Sequence, residues 1–319
     1  MNRLLLAATF SAALLLPASA GASTVSSTQV SGSVYSTTFQ AGPGRSDVTL
    51  AGNGRTWSDA AQTLTAGANC SGGPVVTCPQ GDAEVFFRGG NDRLTNTFSF
   101  FGVKVHGGGG ADTISANGNT TEVWGDNGAD HLDVQANGTS LAHGGAGADE
   151  IRGGFPNGNG TKLDGGDGPD LVVGNSLDDK LIEGDDGRDQ LFSVVGLSST
   201  LDGGPKADTL VSLGTGNPAF LGTVTMNGGD GPDTIKGGPT ADVFDGGNGA
   251  DVIDVYDGDP SARADRGTCG PGNDTVYADP TDTIGADCET VVYGPAPDLP
   301  AVDAAIAHLH AAFPDTPLP

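Results

Sequence analysis

The sequence predicts an all-β protein: a right-handed parallel β-roll (a β-solenoid) of about ten coils, closed at its N-terminal end by a small β cap. Three observations point there. Glycine-rich nine-residue segments recur from about residue 81 to residue 292. Of the 40 acidic side chains only five are Glu, and 54 of the 319 residues are Gly. Glu favours helices, whereas Asp and Gly together favour tight turns and short-reach oxygen ligation. Hydrophobic residues make up 36% and aromatic residues 6%, too little apolar surface for a thick core to offset an ordering cost of roughly 1–2 kcal/mol per residue. The formal charge of -26 makes a compact state repel itself, so a bound cationic partner is expected. The same charge, with no basic stripe, excludes nucleic acid and anionic lipid as partners.

Residues 1–20 read as a signal peptide: a basic Arg3, an apolar run from Leu4 to Leu16, Pro17, and a small-residue exit at Ala18, Ser19 and Ala20. A secreted, extracellular chain starting near Gly21 is expected, without membrane insertion, because no later stretch is apolar enough to span a bilayer. Residues 21–80 show β-type alternation in SVYSTTF and SDVTLA. A cap is physically needed there, since a first coil would otherwise expose its apolar ladder and an unpaired edge. Four cysteines in an exported chain suggest two disulfides. Three pairings are open, and the wide gap between the early and late cysteines favours Cys70 with Cys78 and Cys269 with Cys288. Zinc is the weaker reading, because no CxxC spacing accompanies them.

From residue 81 the repeats take over. GGGGADTIS starts at Gly107, GGAGADEIR at Gly144, GGDGPDLVV at Gly165, GGDGPDTIK at Gly228 and GGNGADVID at Gly246. All fit GGxGxDxUx, with U a large apolar residue. Near matches start at Gly125, Gly184, Gly203, Gly237 and Cys269. Six turn residues can adopt positive φ and expose carbonyl oxygens, and a three-residue strand then points one apolar side chain inward. Two such units make a coil of about 18 residues, and coils stack at about 4.8 Å through parallel pairing. Starts at 107, 125, 144, 165, 184, 203, 228, 246 and 269 differ by 18, 19, 21, 19, 19, 25, 18 and 23 residues, one coil each with insertions. These loops therefore share one edge. On the opposite edge the inward apolar position is expected at Val123, Leu141, Leu163, Leu181 and Leu201. Two places earlier stand Thr121, Thr139, Thr161, Asp179 and Ser199, mostly hydroxyls that cannot replace carboxylates as cation ligands.

The nonapeptide resembles the calcium-binding repeat of exported RTX (hemolysin-type) proteins, and the likeness covers about residues 81–292. It implies several Ca2+ ions, each between loops of successive coils, held by glycine carbonyls and the sixth-position Asp of each loop. Those aspartates are Asp112, Asp130, Asp149, Asp170, Asp189, Asp208, Asp233, Asp251 and Asp274. The glycines are Gly107, Gly109, Gly125, Gly144, Gly165, Gly184, Gly203, Gly228 and Gly246. Calcium takes six to eight oxygen ligands in flexible geometry, which suits carboxylates mixed with carbonyls. About five to eight ions are expected, with Lys206 and the longer insertions disturbing some gaps and with Asp92 and Asp242 as additional ligands. The N-terminal segment also resembles the cap of such proteins. Folding is expected to be coupled to calcium binding, because rows of Asp repel in its absence.

The tail, residues 293–319, holds a short amphipathic helix over Asp298–Phe313 by the spacing of Leu299, Val302, Ile306, Leu309 and Phe313, expected to dock only loosely. His106, His131 and His143 are expected to be solvent-exposed, and His308 and His310 would not share a helical face. No HExxH or GxSxG occurs, so an enzyme is not expected. The reading is a structural or surface-binding module. One alternative is a polysaccharide-modifying or glycan-binding face using Asp164, Glu183, Asp202 and Asp245. Another is a hydroxyl row, Thr121, Thr139 and Thr161, facing a glycan, a cell surface or ice.

Overall fold

In the computed structural model, residues 22–31, 34–52, 56–96, 101–154, 160–175, 180–195, 198–214, 222–258 and 263–316 are described. The expected signal peptide and Asp179 lie outside them. The chain winds alternately through two long sheets, one of 14 strands and one of 15. Along the repeats each strand pairs in parallel with the strand one coil before and one coil after it. This is the β-solenoid the periodicity implies.

Why the strands sit in this phase is set by the glycine loops. The residue two before each loop's first glycine faces inward, so the first-sheet ladder reads Val105, Val123, Ala142, Leu163, Ile182 and Leu201. Leu141 and Leu181, expected inside, instead pair with Glu122, Lys162 and Thr200 on the outward face. A slip of one residue exchanges the two faces of a strand, and here the loop register overrides the size of the side chain. Ala142 and Ile182 are fully buried in their place. The second-sheet ladder, Leu94, Ile114, Leu132, Ile151, Val172, Leu191, Leu210, Ile235, Ile253 and Val276, follows the nonapeptide's apolar position. The two ladders face each other as one thin, continuous core.

The same phase corrects the hydroxyl row. Thr121 and Thr161 point inward and are buried, with Ser140, Lys180 and Ser199 in register beside them, while Thr139 lies exposed in the turn. Among the described residues, Thr121, Thr139 and Thr161 do not form one outward hydroxyl row on that edge. Lys180 donates to Ser193 Oγ at 3.1 Å, and burial pushes its ammonium down to about 7.

The cap begins as part of the coil. Val34–Gln40 pairs in parallel with Gly81–Phe86, and Asp47–Ala51 with Arg93–Asn96. Antiparallel strands Ser23–Ser31 and Thr56–Asp59 then cover these edges. Trp57 is fully buried and stacks on Phe39 at 6.0 Å, with Phe87 edge-on at 5.9 Å. Both disulfides form as the spacing favours: Cys70–Cys78, and Cys269–Cys288 with its α-carbons 5.1 Å apart, across neighbouring coils.

The tail helix, Pro300–Ala312, is firmly seated rather than loosely docked. Its 13 residues extend about 20 Å along the outer face of the second sheet. There Val302, Ala305, Leu309 and Phe313 pack on Leu171, Val173, Phe192, Val211 and Leu213. Gln190 Oε1 lies 2.9 Å from His308 Nδ1, and Arg152 lies 5.0 Å over the Phe313 ring. Leu309→Ala should cost the docking about 2–5 kcal/mol. Helix amides are then expected to exchange hydrogen roughly 30-fold faster or more, while strand amides keep their rates.

Candidate metal centre

Every glycine loop except the one starting at Gly237 carries the chain from the first sheet to the second, so these loops line one edge. In register order their sixth positions are Ser46, Asp92, Asp112, Asp130, Asp149, Asp170, Asp189, Asp208, Asp233, Asp251, Asp274 and Glu289. All nine expected aspartates fall in this column, and Asp92 joins them. Ser46 and Glu289, at its two ends, were not anticipated. For Glu289 the signal was its place two residues before Val291, which stacks on the ladder residue Val276.

One bonding pattern repeats down the column. The backbone N–H of each Asp donates to the Oδ1 of the Asp one coil on, at 2.7–2.9 Å from Asp92 to Asp274. The Asp274 N–H donates to Glu289 Oε2 at 2.9 Å. The ten aspartates are all at most 2% exposed. The Oδ2 of every one of them is buried without a hydrogen-bond partner. An unpaired buried polar atom costs roughly 1–3 kcal/mol, and more when charged, so ten in a row mark a missing electrophile rather than ten independent defects.

The glycines explain where it would sit. A methyl group placed on Gly107 would lie 2.6 Å from Asp112 Oδ2 and 2.5 Å from the Gly125 carbonyl oxygen. One on Gly165 would lie 2.6 Å from Asp170 Oδ2 and 2.9 Å from the Gly184 carbonyl. The loops starting at Gly125, Gly144, Gly184, Gly203, Gly228 and Gly246 repeat this convergence of a free carboxylate oxygen and the next coil's first-position carbonyl. Only glycine leaves that space open. Gly109 differs: its surroundings are open, and its carbonyl accepts the Gly90 N–H at 2.7 Å.

Burial is the main force on nine of these carboxyls, ahead of the opposing backbone N–H bonds. It pushes Asp92, Asp149 and Asp251 up to about 6, Asp112, Asp130 and Asp233 to about 7, and Asp170, Asp189 and Asp208 to about 8. Neighbouring carboxylates in the column raise most of them further. Among the described residues no three carboxylate, imidazole or thiolate side chains converge on one point. A cation here must therefore draw on backbone carbonyls as well, a mixed oxygen set that suits a large, flexible-geometry ion such as calcium. The residues present fit it.

Lys206, at the fourth position of its loop, takes a left-handed φ of 86° and pairs with Asp186 at 2.6 Å. It does not reach the free Oδ2 of Asp189 or Asp208.

Asp164, Glu183, Asp202 and Asp245 do share one outward column on the first sheet. They are engaged by His143, Lys162, Asn227 and Thr268 respectively. Further along it Phe86, His106 and Trp124 stack face to face at 5.2 and 4.5 Å. His106 is thereby covered on both faces. His106 and His143 thus sit half-exposed but engaged, and His131 pairs with Glu150 at 2.7 Å.

The family model of the RTX calcium-binding nonapeptide repeat matches the chain in four copies, over residues 137–155 and 225–259. These stretches contain the loops of Asp149, Asp233, Asp242 and Asp251. No curated protein and no solved structure matches the chain.

Proposed function

The chain carries RTX-type calcium-binding nonapeptide repeats on a parallel β-solenoid, and we propose that it is an exported protein that folds when its carboxylate column takes up calcium. It would then serve outside the cell as a structural module rather than as a catalyst. The observation that carries this reading is the column of ten buried Oδ2 atoms without partners. Calcium bound there would neutralise adjacent carboxylates and complete their oxygen contacts. The sixth-position aspartates from Asp92 to Asp274, with the first-position carbonyls from Gly125 to Gly246, would hold it.

What the chain's own residues do follows from their placement. Each Oδ1 ties its coil to the preceding one through a backbone N–H, and each Oδ2 is presented at a site open only because glycine lacks a side chain. With the column charged and empty, the thin core cannot offset both chain entropy and the burial of like charges. A ligand that binds only the folded state stabilises it in proportion to the logarithm of its concentration. Export fits this device: a chain of charge -26 would stay unfolded where free calcium is scarce and fold where it is abundant.

The test is far-ultraviolet circular dichroism of the mature chain, first in chelator and then with calcium added to millimolar levels. Strand signal should be largely absent in chelator at neutral pH and return with calcium. Equal strand content in both conditions would refute the reading.

A further inference from the structure

The tail does not close the end of the roll. In the last strand of the second sheet, Thr290–Tyr293, Val292 and Tyr293 stay 39% and 62% exposed. The chain then passes through Pro295 and Pro297, turns back, and lays its helix across coils in the middle of the roll. The apolar seat there is built on three successive strands, Leu171–Asn175, Gln190–Val195 and Thr209–Ser212. Polar and ring contacts extend it over two coils more. Glu150 Oε2 lies 2.7 Å from His131 Nδ1 and Glu150 Oε1 3.3 Å from His308 Nε2, while the Phe313 ring lies 4.8 Å from that of His131.

These strands begin where the carboxylate column leaves each loop. His131, Glu150, Leu171 and Gln190 directly follow Asp130, Asp149, Asp170 and Asp189. The N–H of Glu150 donates to the Asp130 carbonyl, that of Leu171 to Asp149, that of Gln190 to Asp170 and that of Thr209 to Asp189, each at 2.8 Å. Each strand under the helix is therefore joined to one column aspartate by a peptide bond and to the preceding one by a hydrogen bond. A helix of 13 residues is marginal on its own, so it needs the whole seat. Coils pushed apart by unneutralised carboxylates would break that seat into strips presenting only Leu171 and Val173, Phe192 and Val194, or Val211 and Leu213.

We infer that the tail helix is a strap whose docking is coupled to cation occupancy of the four gaps between Asp130 and Asp208. The tail would thus set the calcium level at which the middle of the roll closes. The inference rests on the calcium reading of the column. Two ligands that both require the stacked state raise each other's affinity by the same factor. Here the helix is one ligand, carried on the chain itself, and the cations beneath it are the other. Lifting the helix loosens the middle coils first, and loss of calcium from those coils releases the helix. Strands Val252–Asp254 and Thr275–Ala278 carry no residue of the seat and do not share the effect.

The experiment follows hydrogen exchange by mass spectrometry in the full mature chain across a calcium titration, comparing the natural sequence with Leu309→Ala. In the variant the calcium midpoint for protection of Glu150–Gly153, Leu171–Asn175, Gln190–Val195 and Thr209–Ser212 should rise at least about twofold, the lost docking being shared among the gaps. Val252–Asp254 and Thr275–Ala278 should keep their midpoints, and at saturating calcium every strand should match the natural chain. Unchanged midpoints beneath the helix, or an equal rise in all strands, overturn the coupling. If the variant folds at no calcium level, the natural chain decides. Its helix amides should gain protection at the same calcium concentration as the strands beneath them, and a gain at a separate concentration overturns the strap. A natural chain whose protection ignores calcium altogether overturns the calcium reading and the strap together.

Discussion

In chelator, lowering the pH from about 8 to about 5 should fold the metal-free chain. The sign follows from linkage. Nine carboxyls of the first-edge column titrate near 6 to 8 in the folded state, against about 3.9 in an unfolded chain. Between those limits the folded state binds more protons than the unfolded one, so stability falls as pH rises through the folded values. At about pH 5 these nine carboxyls are largely neutral when folded, and the cost of burying them has fallen to that of protonating them, which vanishes only below about pH 3.9. A protonated Oδ2 also gains a role that the carboxylate lacks, as a donor toward the first-position carbonyl that converges on the same glycine. Protons then stand in for the cation, and by the same competition calcium should bind more weakly at low pH. Circular dichroism in chelator across this range reads it directly. Strand content that stays flat or declines on acidification would show that charge in the column is not what keeps the metal-free chain unfolded. Dilute protein is required, since the sequence pI of 4.1 lies close below.

The loops were the most legible part of the sequence because glycine there is dictated by geometry: a positive φ or a carbonyl in the space of a side chain. The nine sixth-position aspartates that the family resemblance implies as ligands all stand in the column. What spacing could not settle was the phase of the strands entering the loops. At Leu141–Ala142 and Leu181–Ile182 the larger or leading apolar residue looked like the core position. The glycine loop that follows fixes the strand and turns the smaller Ala142 inward. Counting back two residues from the first glycine gives the correct phase at every loop from Gly107 to Gly203. A carboxylate outside the motif was hidden for a related reason. Glu289 carries no glycine signature, and only register places it.

The docked helix was half legible. Its amphipathic spacing is visible in its own residues, whereas its seat is encoded in distant strands. Yet LVV at Leu171, LFSVV at Leu191 and LVSL at Leu210 break the alternation of the other coils with consecutive apolar residues. Such runs belong to strands covered on both faces. The outward members Leu171, Val173, Phe192, Val211 and Leu213 are those the helix covers. A local loss of alternation within a regular solenoid therefore locates the coils where something packs outside.

The fourth-position glycines should be the least replaceable residues in the roll, and Gly168→Ala is expected to prevent folding at calcium levels that fold the natural chain. Two costs add. Gly168 has φ +136°, a backbone region essentially confined to glycine that costs an L-residue roughly 1–3 kcal/mol. Its new methyl would also fall inside the contact surface of the Gly147 carbonyl oxygen, which belongs to backbone and cannot rotate away. Relieving that overlap means parting two coils, and with them inter-coil hydrogen bonds worth about 1 kcal/mol each, including that from Gly168 N–H to the Asp186 carbonyl at 3.0 Å. Two glycines serve as controls. Gly160 also has a positive φ, +70°, but among the described residues nothing lies within 4 Å of an added methyl, so Gly160→Ala carries a left-handed backbone cost without a clash. Gly109 has open space without a positive φ, so Gly109→Ala should be close to neutral. In calcium titrations followed by circular dichroism, the midpoint should rise least for Gly109→Ala, more for Gly160→Ala, and by at least about tenfold for Gly168→Ala, the equivalent of about 1.4 kcal/mol. A Gly168→Ala midpoint equal to that of Gly160→Ala would mean that the coils are not in backbone contact at the fourth position, and the stacked column with its shared ligands could not exist as described.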